Sequence, residues 1–88
     1  MTDHPEWDQH DLWLTRCEQI LHRDVHRCRN CGGEGDLLIH HRQYHVDIVT
    51  GERFRPWDYE DRFLITLCVR CHNAGHTEFS IPTFKMYK

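Results

Sequence analysis

Two Cys-x2-Cys pairs constrain this 88-residue chain more than any other feature of its sequence. Cys28 and Cys31 form the first pair, and Cys68 and Cys71 form the second. A spacing of two residues lets one turn present two thiolates to the same ion, and Zn²⁺ prefers four such ligands in a tetrahedron. The pairs therefore predict one structural zinc site. A redox role is the weaker alternative, because a redox pair usually occurs singly and beside a βαβ pattern that is missing here.

A metal site is also what a chain of this length needs. Eighty-eight residues make one domain, whose small apolar core gives little stability without metals or disulfides. A composition of 39% hydrophobic and 28% charged residues is typical of a folded domain. No apolar run is long enough to span a membrane, and the acidic N-terminus does not look like a signal peptide. We therefore expect a cytoplasmic protein with reduced thiols and no membrane partner.

Residues 8–24 have the periodicity of an amphipathic helix, for which Asp8 is a suitable N-cap. The apolar stripe of this helix consists of Leu14, Cys17 and Leu21, widened by Trp13 and Ile20. Cys17 stands outside the two cysteine pairs. Because it lies on the apolar stripe, we expect a small core residue there and not a metal ligand.

The rest of the chain predicts two strands and a second helix. The strands cover residues 37–41 and 63–67, which are apolar and rich in residues that favour sheets. Between them lies a mixed segment with turns at Thr50-Gly51 and at Pro56. A short helix should run over about residues 71–79 and end before Pro82.

Four of the nine histidines form two pairs that could serve a second metal. His72 and His76 are four residues apart on the predicted second helix, so they share a face and suit chelation, although such a pair is often only a polar face. His40 and His41 end the first strand, where imidazoles are costly without partners. Neighbours on a regular strand point to opposite faces. Both histidines can therefore serve one site only if the strand ends or bulges there.

In order and spacing these motifs resemble the HNH endonuclease family. The resemblance covers about residues 25–78. Its motifs are Cys28-x2-Cys31, Leu38-Ile39-His40-His41-x2-Tyr44, Pro56-Trp57-x-Tyr59 and Leu64-Ile65-Thr66-Leu67-Cys68-x2-Cys71-His72-x3-His76. The resemblance implies a small α+β fold in which a ββα-metal unit, clamped by the four-cysteine zinc site, follows an N-terminal helix. Three segments are expected: an acidic segment and helix (1–24), the nuclease domain with its zinc knuckles (25–80) and a C-terminal tail (81–88).

The resemblance also implies residue roles. His41 matches the general base, and the ligands of a catalytic Mg²⁺, Mn²⁺, Ni²⁺ or Zn²⁺ ion would be His40, His72 and His76. Histidine suits the base role because its ordinary pKa of about 6.5 leaves it largely neutral at cellular pH. The implied activity is metal-dependent hydrolysis of phosphodiester bonds in DNA. The middle asparagine of the family is missing, since Phe63 stands at its usual place. A non-catalytic zinc module that binds nucleic acid or protein is the alternative.

The charge distribution neither supports nor excludes DNA as the partner. The formal net charge is −3, but residues 1–18 hold five of the fourteen acids, which leaves nine acids and ten bases in residues 19–88. Candidates for contacting phosphates are Arg42, Arg53, Arg55 and Arg62. A solvated surface charge is the plainer interpretation of each one separately. Because so small a chain has little surface for reading bases, we expect weak sequence preference or a partner protein that targets it.

Overall fold

The structure, a computed structural model, describes residues 9–78 and 80–87, except for the side chains of residues 76–78. Within this part of the chain, two helices and small sheets form a small α+β fold, as predicted. In chain order the elements are α1 (Asp11–Arg23), β1 (Leu37–His41), β2 (Tyr44–Asp47), β3 (Leu64–Cys68), α2 (Val69–Glu78) and β4 (Thr83–Met86). A short 3-10 helix, Asp61–Phe63, leads into β3.

Helix α1 begins at Asp11 because His10 caps it. The Nδ1 atom of His10 accepts a hydrogen bond from the backbone N–H of Leu12 at 3.2 Å, which satisfies one of the free donors of the first turn. Asp8, which we predicted as the cap, lies outside the described residues.

The buried face of α1 is rotated relative to the predicted stripe. Trp13 and Ile20 are buried, Cys17 and Leu21 pack partly buried against the core, and Leu14 is 43% exposed. An indole ring has more apolar surface to remove from water than a leucine side chain, which favours turning Trp13 inward. Cys17 thus packs against the core as predicted, but it is only partly buried, whereas we expected a buried residue.

Strands β1 and β3 pair antiparallel, with Leu37 opposite Cys68 and His41 opposite Leu64. The first strand has the predicted bounds, and the second lies one residue further along the chain than predicted. Helix α2 follows β3 directly and begins at Val69, two residues before the predicted start. Phe79, where we expected this helix to end, lies outside the described residues.

The two faces of the β1–β3 sheet meet different helices. Residues directly opposite each other in the ladder share a face, whereas neighbours along one strand alternate. One face, here called the core face, packs against α1 and consists of Ile39, His41, Leu64 and Thr66. The other, here called the α2 face, consists of Leu38, His40, Ile65 and Leu67.

A second small sheet comes from residues that we did not predict to be strands. β2 pairs in parallel with β4, with Tyr44 opposite Thr83 and Asp47 opposite Met86. After β2 the chain turns back through Gly51, whose φ of 77° lies in the left-handed region that glycine adopts freely. Residues 81–88, which we expected to be a tail, thus contain a strand.

The core lies between α1 and the β1–β3 sheet. Its buried members are Trp13, Ile20, Ile39, Tyr59 and Leu64. Phe54, Trp57 and Phe63 from the segment before β3 pack partly buried against this cluster, so the segment closes the core. None of the described helices has the length and apolar character needed to cross a membrane.

Candidate metal sites

The four paired cysteines lie together at one end of the β1–β3 sheet. The sulfurs of Cys28, Cys31, Cys68 and Cys71 all lie within 4.8 Å of one another, and Cys31 Sγ is 3.7 Å from Cys68 Sγ. A tetrahedron with Zn–S bonds of about 2.3 Å has sulfur–sulfur edges of about 3.8 Å. The cluster therefore has the ligand number, ligand type and spacing of a zinc site. Cys17 is not a member of it.

Local backbone geometry positions the first cysteine pair. Gly32, with a φ of 78°, turns the chain so that its N–H donates to Cys28 O at 2.8 Å. The N–H of Cys28 donates in turn to Gly33 O at 2.8 Å, which closes the loop. The N–H of Cys31 points to Cys28 Sγ at 3.5 Å. Such N–H groups stabilise a thiolate and hence favour metal binding.

The second pair spans the end of β3 and the first turn of α2. The N–H of Cys71 donates to Cys68 Sγ at 3.4 Å, in the same way as in the first pair. The side-chain amide of Asn30, from the first knuckle, donates to Cys71 Sγ at 3.3 Å. The two knuckles thus contact each other directly, besides the contacts among their sulfurs.

The thiols of this cluster perturb one another. Burial raises the pKa of the Cys28 thiol, but nearby backbone N–H groups outweigh this and lower that pKa to about 6. Backbone hydrogen bonding lowers the pKa of Cys68. The Asn30 amide lowers the pKa of Cys71, yet the surrounding sulfurs together raise it to about 11. Four thiolates this close repel one another, and a divalent cation relieves that repulsion.

Asp24 joins α1, the first knuckle and β3. Its carboxylate is buried and accepts hydrogen bonds from Arg23 Nε at 2.8 Å, Arg29 Nη1 at 3.0 Å and the backbone N–H of Thr66 at 3.0 Å. Arg29 N donates to Thr66 O at 2.9 Å, and Arg23 Nη2 donates to Leu64 O at 2.7 Å. These groups satisfy backbone atoms on the outer edge of β3 where no strand pairs with it.

The charge state of Asp24 follows from these contacts. Burial alone raises the pKa of its carboxyl, but the hydrogen bonds from Arg23 and Thr66 outweigh burial and lower the pKa from 3.8 to about 2. Because the pKa is lower in the folded state, the carboxylate contributes its full stabilisation above about pH 4. That contribution is lost as the pH falls towards 2.

The structure brings together two of the three predicted ligands of the second metal. His40 on β1 and His72 on α2 are partly buried, and their ring centres are 5.2 Å apart at an interplanar angle of 74°. Two imidazoles bound to one ion at about 2.1 Å in tetrahedral geometry have ring centres about 5 Å apart. His72 directly follows Cys71, so the knuckle fixes its position. The side chain of His76, the third predicted ligand, is not among those described.

His41, the predicted base, lies on the core face and not beside His40 and His72. It is fully buried, stacks on Trp13 with ring centres 5.2 Å apart, and meets the edge of Tyr59 at 4.7 Å. The strand alternation continues to the last residue of β1, without a bulge. His41 Nε2 lies 2.9 Å from Pro56 O. A carbonyl oxygen only accepts, so Nε2 carries the proton and Nδ1 is the basic nitrogen of the neutral ring.

His45 and Tyr59 form a second buried polar contact, one that sequence reasoning did not find. The backbone N–H of His45 donates to the hydroxyl oxygen of Tyr59 at 2.9 Å. The Nε2 atom of the His45 ring lies 2.7 Å from Gln43 Nε2. Burial lowers the pKa of His45. The only sequence signal was Tyr59 in the Pro-Trp-x-Tyr motif. This pair supports the fold of the segment that carries Pro56.

The four predicted phosphate-contact arginines separate into two groups. Arg42 and Arg62 line the same open cleft beside β3. Arg53 lies over the ring of Tyr44, 5.6 Å from its centre, and Arg55 is exposed just before Pro56. Neither Arg53 nor Arg55 lines that cleft.

Comparison with known proteins identified no detectable relative of this chain. No protein-family model matches the chain, and neither a curated protein nor a solved structure is detectably similar to it. Its chemistry must therefore be inferred from its own residues.

Proposed function

We propose that this chain is a metal-dependent endonuclease of the HNH type that hydrolyses phosphodiester bonds in DNA. The observation that carries the proposal is the contact between His40 and His72. β1 contributes the imidazole of His40, and the first turn of α2 contributes that of His72. His72 directly follows Cys71, a member of the four-cysteine cluster. The order of two antiparallel strands and a following helix agrees with a ββα-metal unit.

In this proposal His40, His72 and His76 hold the catalytic ion, and the four-cysteine cluster holds a structural zinc. The catalytic ion supplies Lewis-acid chemistry, neutralising charge on the phosphate and on the leaving oxygen. Because the cluster fixes the start of α2, the structural zinc would also fix the position of His72.

His41 acts as the general base in this proposal. Pro56 O holds its Nε2–H, which orients the ring and leaves Nδ1 to take the proton from the attacking water. The role requires the end of β1 to rearrange when DNA binds, so that Nδ1 becomes accessible on the side of the metal, since in the structure the ring is fully buried on the opposite face from His40.

A second candidate function is a zinc module that binds nucleic acid or protein without catalysis. The burial of His41 on the core face favours it, because the same contacts would suit a structural histidine. The presence of Phe63 where the family has its middle asparagine favours it as well. In that case the His40–His72 contact is a polar contact within the fold.

A plasmid-nicking assay with added Mg²⁺, Mn²⁺, Ni²⁺ or Zn²⁺ tests the proposal. His72→Ala should weaken binding of the second metal and lose cleavage, with partial rescue at higher metal concentration. His41→Asn keeps a donor for Pro56 O but removes the base, so cleavage should fall by about 10²-fold at every metal concentration. His22→Ala, at an exposed histidine on α1, is the matched control and should cut normally.

Two outcomes would overturn this proposal. If wild-type protein with zinc bound nicks DNA with none of these ions, the non-catalytic module is the better function. If His72→Ala cuts as fast as wild type at limiting metal, His72 is not a ligand. Normal cleavage by His41→Asn would remove His41 from the mechanism and leave the metal proposal standing.

A further inference from the structure

We propose that an arginine-lined cleft along the outer edge of β3 binds the phosphate backbone of duplex DNA. The choice of DNA as ligand rests on the proposed function, but the cleft can be tested without catalysis. It has a volume of about 440 Å³ and is lined by Arg23, Arg29, Arg42, Arg62, Leu64 and Ile65. We call it the arginine cleft.

The arginines of the cleft reach it from four separate places in the chain. Arg23 ends α1 and Arg29 lies within the first zinc knuckle. Arg42 directly follows β1, and Arg62 directly precedes the last residue before β3. Their convergence is therefore a product of the fold and is not visible as a basic run in the sequence.

Two of these arginines are held in place by Asp24. The side chain of Arg23 is 33% exposed and that of Arg29 is 54% exposed, although both bond to the buried carboxylate. A guanidinium has five donor N–H groups. Arg23 donates four of them to Asp24, Leu64 O and Asp61 O, so it gives the cleft mainly its positive charge. Arg29 bonds to Asp24 through Nη1 alone, which leaves its other donors for a ligand in the cleft. An arginine that is already oriented loses less conformational freedom when it binds a phosphate.

The other two arginines supply charge that is more accessible. Arg62 is 71% exposed, pairs with Glu60 at 2.7 Å and lies over the ring of Phe63 at 4.5 Å. Arg42 is exposed, and no salt bridge to it occurs within residues 9–78 and 80–87. Such side chains can adjust to a phosphate as it enters the cleft.

The charge balance of the cleft differs from that of the whole chain. Four guanidinium groups face two paired carboxylates, those of Asp24 and Glu60, which leaves an excess of two positive charges. The neighbouring carboxylate of Asp61 forms its own salt bridge with Arg16. The chain as a whole carries a formal charge of −3, so the cleft is a local positive region on an acidic protein. A polyanion is steered to such a region.

One wall of the arginine cleft lies on the same face of the sheet as His40. Ile65, which lines the cleft, is the β3 residue directly opposite His40. Residues opposite each other in an antiparallel ladder lie on the same face with Cβ atoms about 5 Å apart. A nucleic-acid strand that lies against the arginines would therefore pass about one strand spacing from His40, a ligand of the proposed second metal site.

Binding can be measured separately from cleavage. The probe is a fluorescein-labelled DNA duplex of about 20 base pairs, and anisotropy is recorded with zinc-loaded protein and no other divalent ion. The cleft double variant is Arg42→Gln with Arg62→Gln, which spares both arginines that hold Asp24. The control double variant is Arg53→Gln with Arg55→Gln, which removes the same charge elsewhere. Circular dichroism and zinc content show that each variant is folded.

The cleft double variant should bind DNA about tenfold or more weakly than wild type. The slope of log Kd against log salt concentration should fall by about 1.8, since each lost phosphate contact removes about 0.9. The control double variant should keep the wild-type slope. Glu60→Gln frees Arg62 from its partner, and it should tighten binding by about two- to threefold.

The outcomes also separate this inference from the proposed function. If the control variant weakens binding as much as the cleft variant, only overall charge matters and no specific cleft exists. If wild type fails to bind the duplex at low salt, the cleft does not serve DNA. Selective loss in the cleft variant, together with a wild-type protein that never nicks, would support the cleft and refute the nuclease.

Discussion

The two faces of the β1–β3 sheet give neighbouring, chemically identical residues opposite surroundings. His41 points to the core face, where Trp13, Tyr59 and a backbone carbonyl enclose it. His40 points to the α2 face, where it meets His72. Adjacent histidines on one strand therefore have separate structural surroundings. The helix that covers each face decides which side chains each imidazole meets.

The same contrast predicts where substitutions act. The core face contains the buried cluster of the protein, so changes there should lower the free energy of unfolding. On the α2 face Leu38 is buried but His40, Ile65 and Leu67 are only partly buried, so changes at these three should mainly affect metal and DNA binding. The cysteine cluster, at the end of both strands, should affect both faces at once. The following predictions run from the largest expected effect to the smallest.

Removing one ligand of the cysteine cluster should disrupt both faces of the sheet together, because the cluster holds the end of the sheet and the start of α2. Cys28→Ala should lose the structural zinc and be largely unfolded by circular dichroism, since zinc binding in small domains is part of the folding free energy. Elemental analysis of wild type should find about one tightly bound zinc per chain. A folded wild-type protein without metal would contradict this.

Replacing each histidine of the adjacent pair should separate the two faces. His41→Ala leaves a cavity against Trp13 and Tyr59, and we expect it to lower the free energy of unfolding by about 3 kcal/mol. His40→Ala, on the partly buried face, should lower it by less than about 1 kcal/mol. Urea unfolding of zinc-loaded protein measures both. Equal losses for the two variants would show that the faces do not differ as described.

Asp24 tests whether the outer edge of β3 depends on a buried charge. Asp24→Asn removes the charge that Arg23 and Arg29 share, and it should lower the free energy of unfolding by about 2 kcal/mol at pH 7. Asp36→Asn, at an exposed aspartate of the same loop region, should change it by less than about 0.5 kcal/mol. The difference between Asp24→Asn and wild type should be constant down to about pH 4 and shrink below it, because the Asp24 pKa is about 2. A pH-independent difference throughout that range would refute the role of the charge.

The smallest change concerns Cys17 at the edge of the core. Cys17→Ala removes one sulfur from a partly buried position, and it should cost about 1 kcal/mol or less of unfolding free energy. Zinc content and DNA binding should stay at the wild-type level. Loss of zinc in this variant would mean that the cysteine cluster does not have the four members assigned to it.

Local patterns predicted much of the secondary structure. The apolar run of β1 and the periodicity of α1 were sufficient to predict both elements, although they did not give the rotation of α1 about its axis. β2 and β4 were missed because short strands of mixed polarity gain their stability from each other, and their pairing joins distant parts of the chain. The contacts of Asp24 with Arg23 and Arg29 could not be predicted either, since nothing in the sequence indicates which arginines meet a single carboxylate.

The sequence by itself was sufficient to predict the cysteine cluster, because two residues between cysteines fix a local turn in each pair, and four thiols in two such turns favour a shared zinc ion. It also determined that His40 and His41 must point to opposite faces unless the strand is interrupted, since this alternation belongs to the extended backbone. Only the tertiary structure decided which of the two meets α1 and which meets α2. It alone also gathered four dispersed arginines into one cleft. Both outcomes depend on contacts between residues far apart in the chain, and such contacts leave no periodic trace in the sequence.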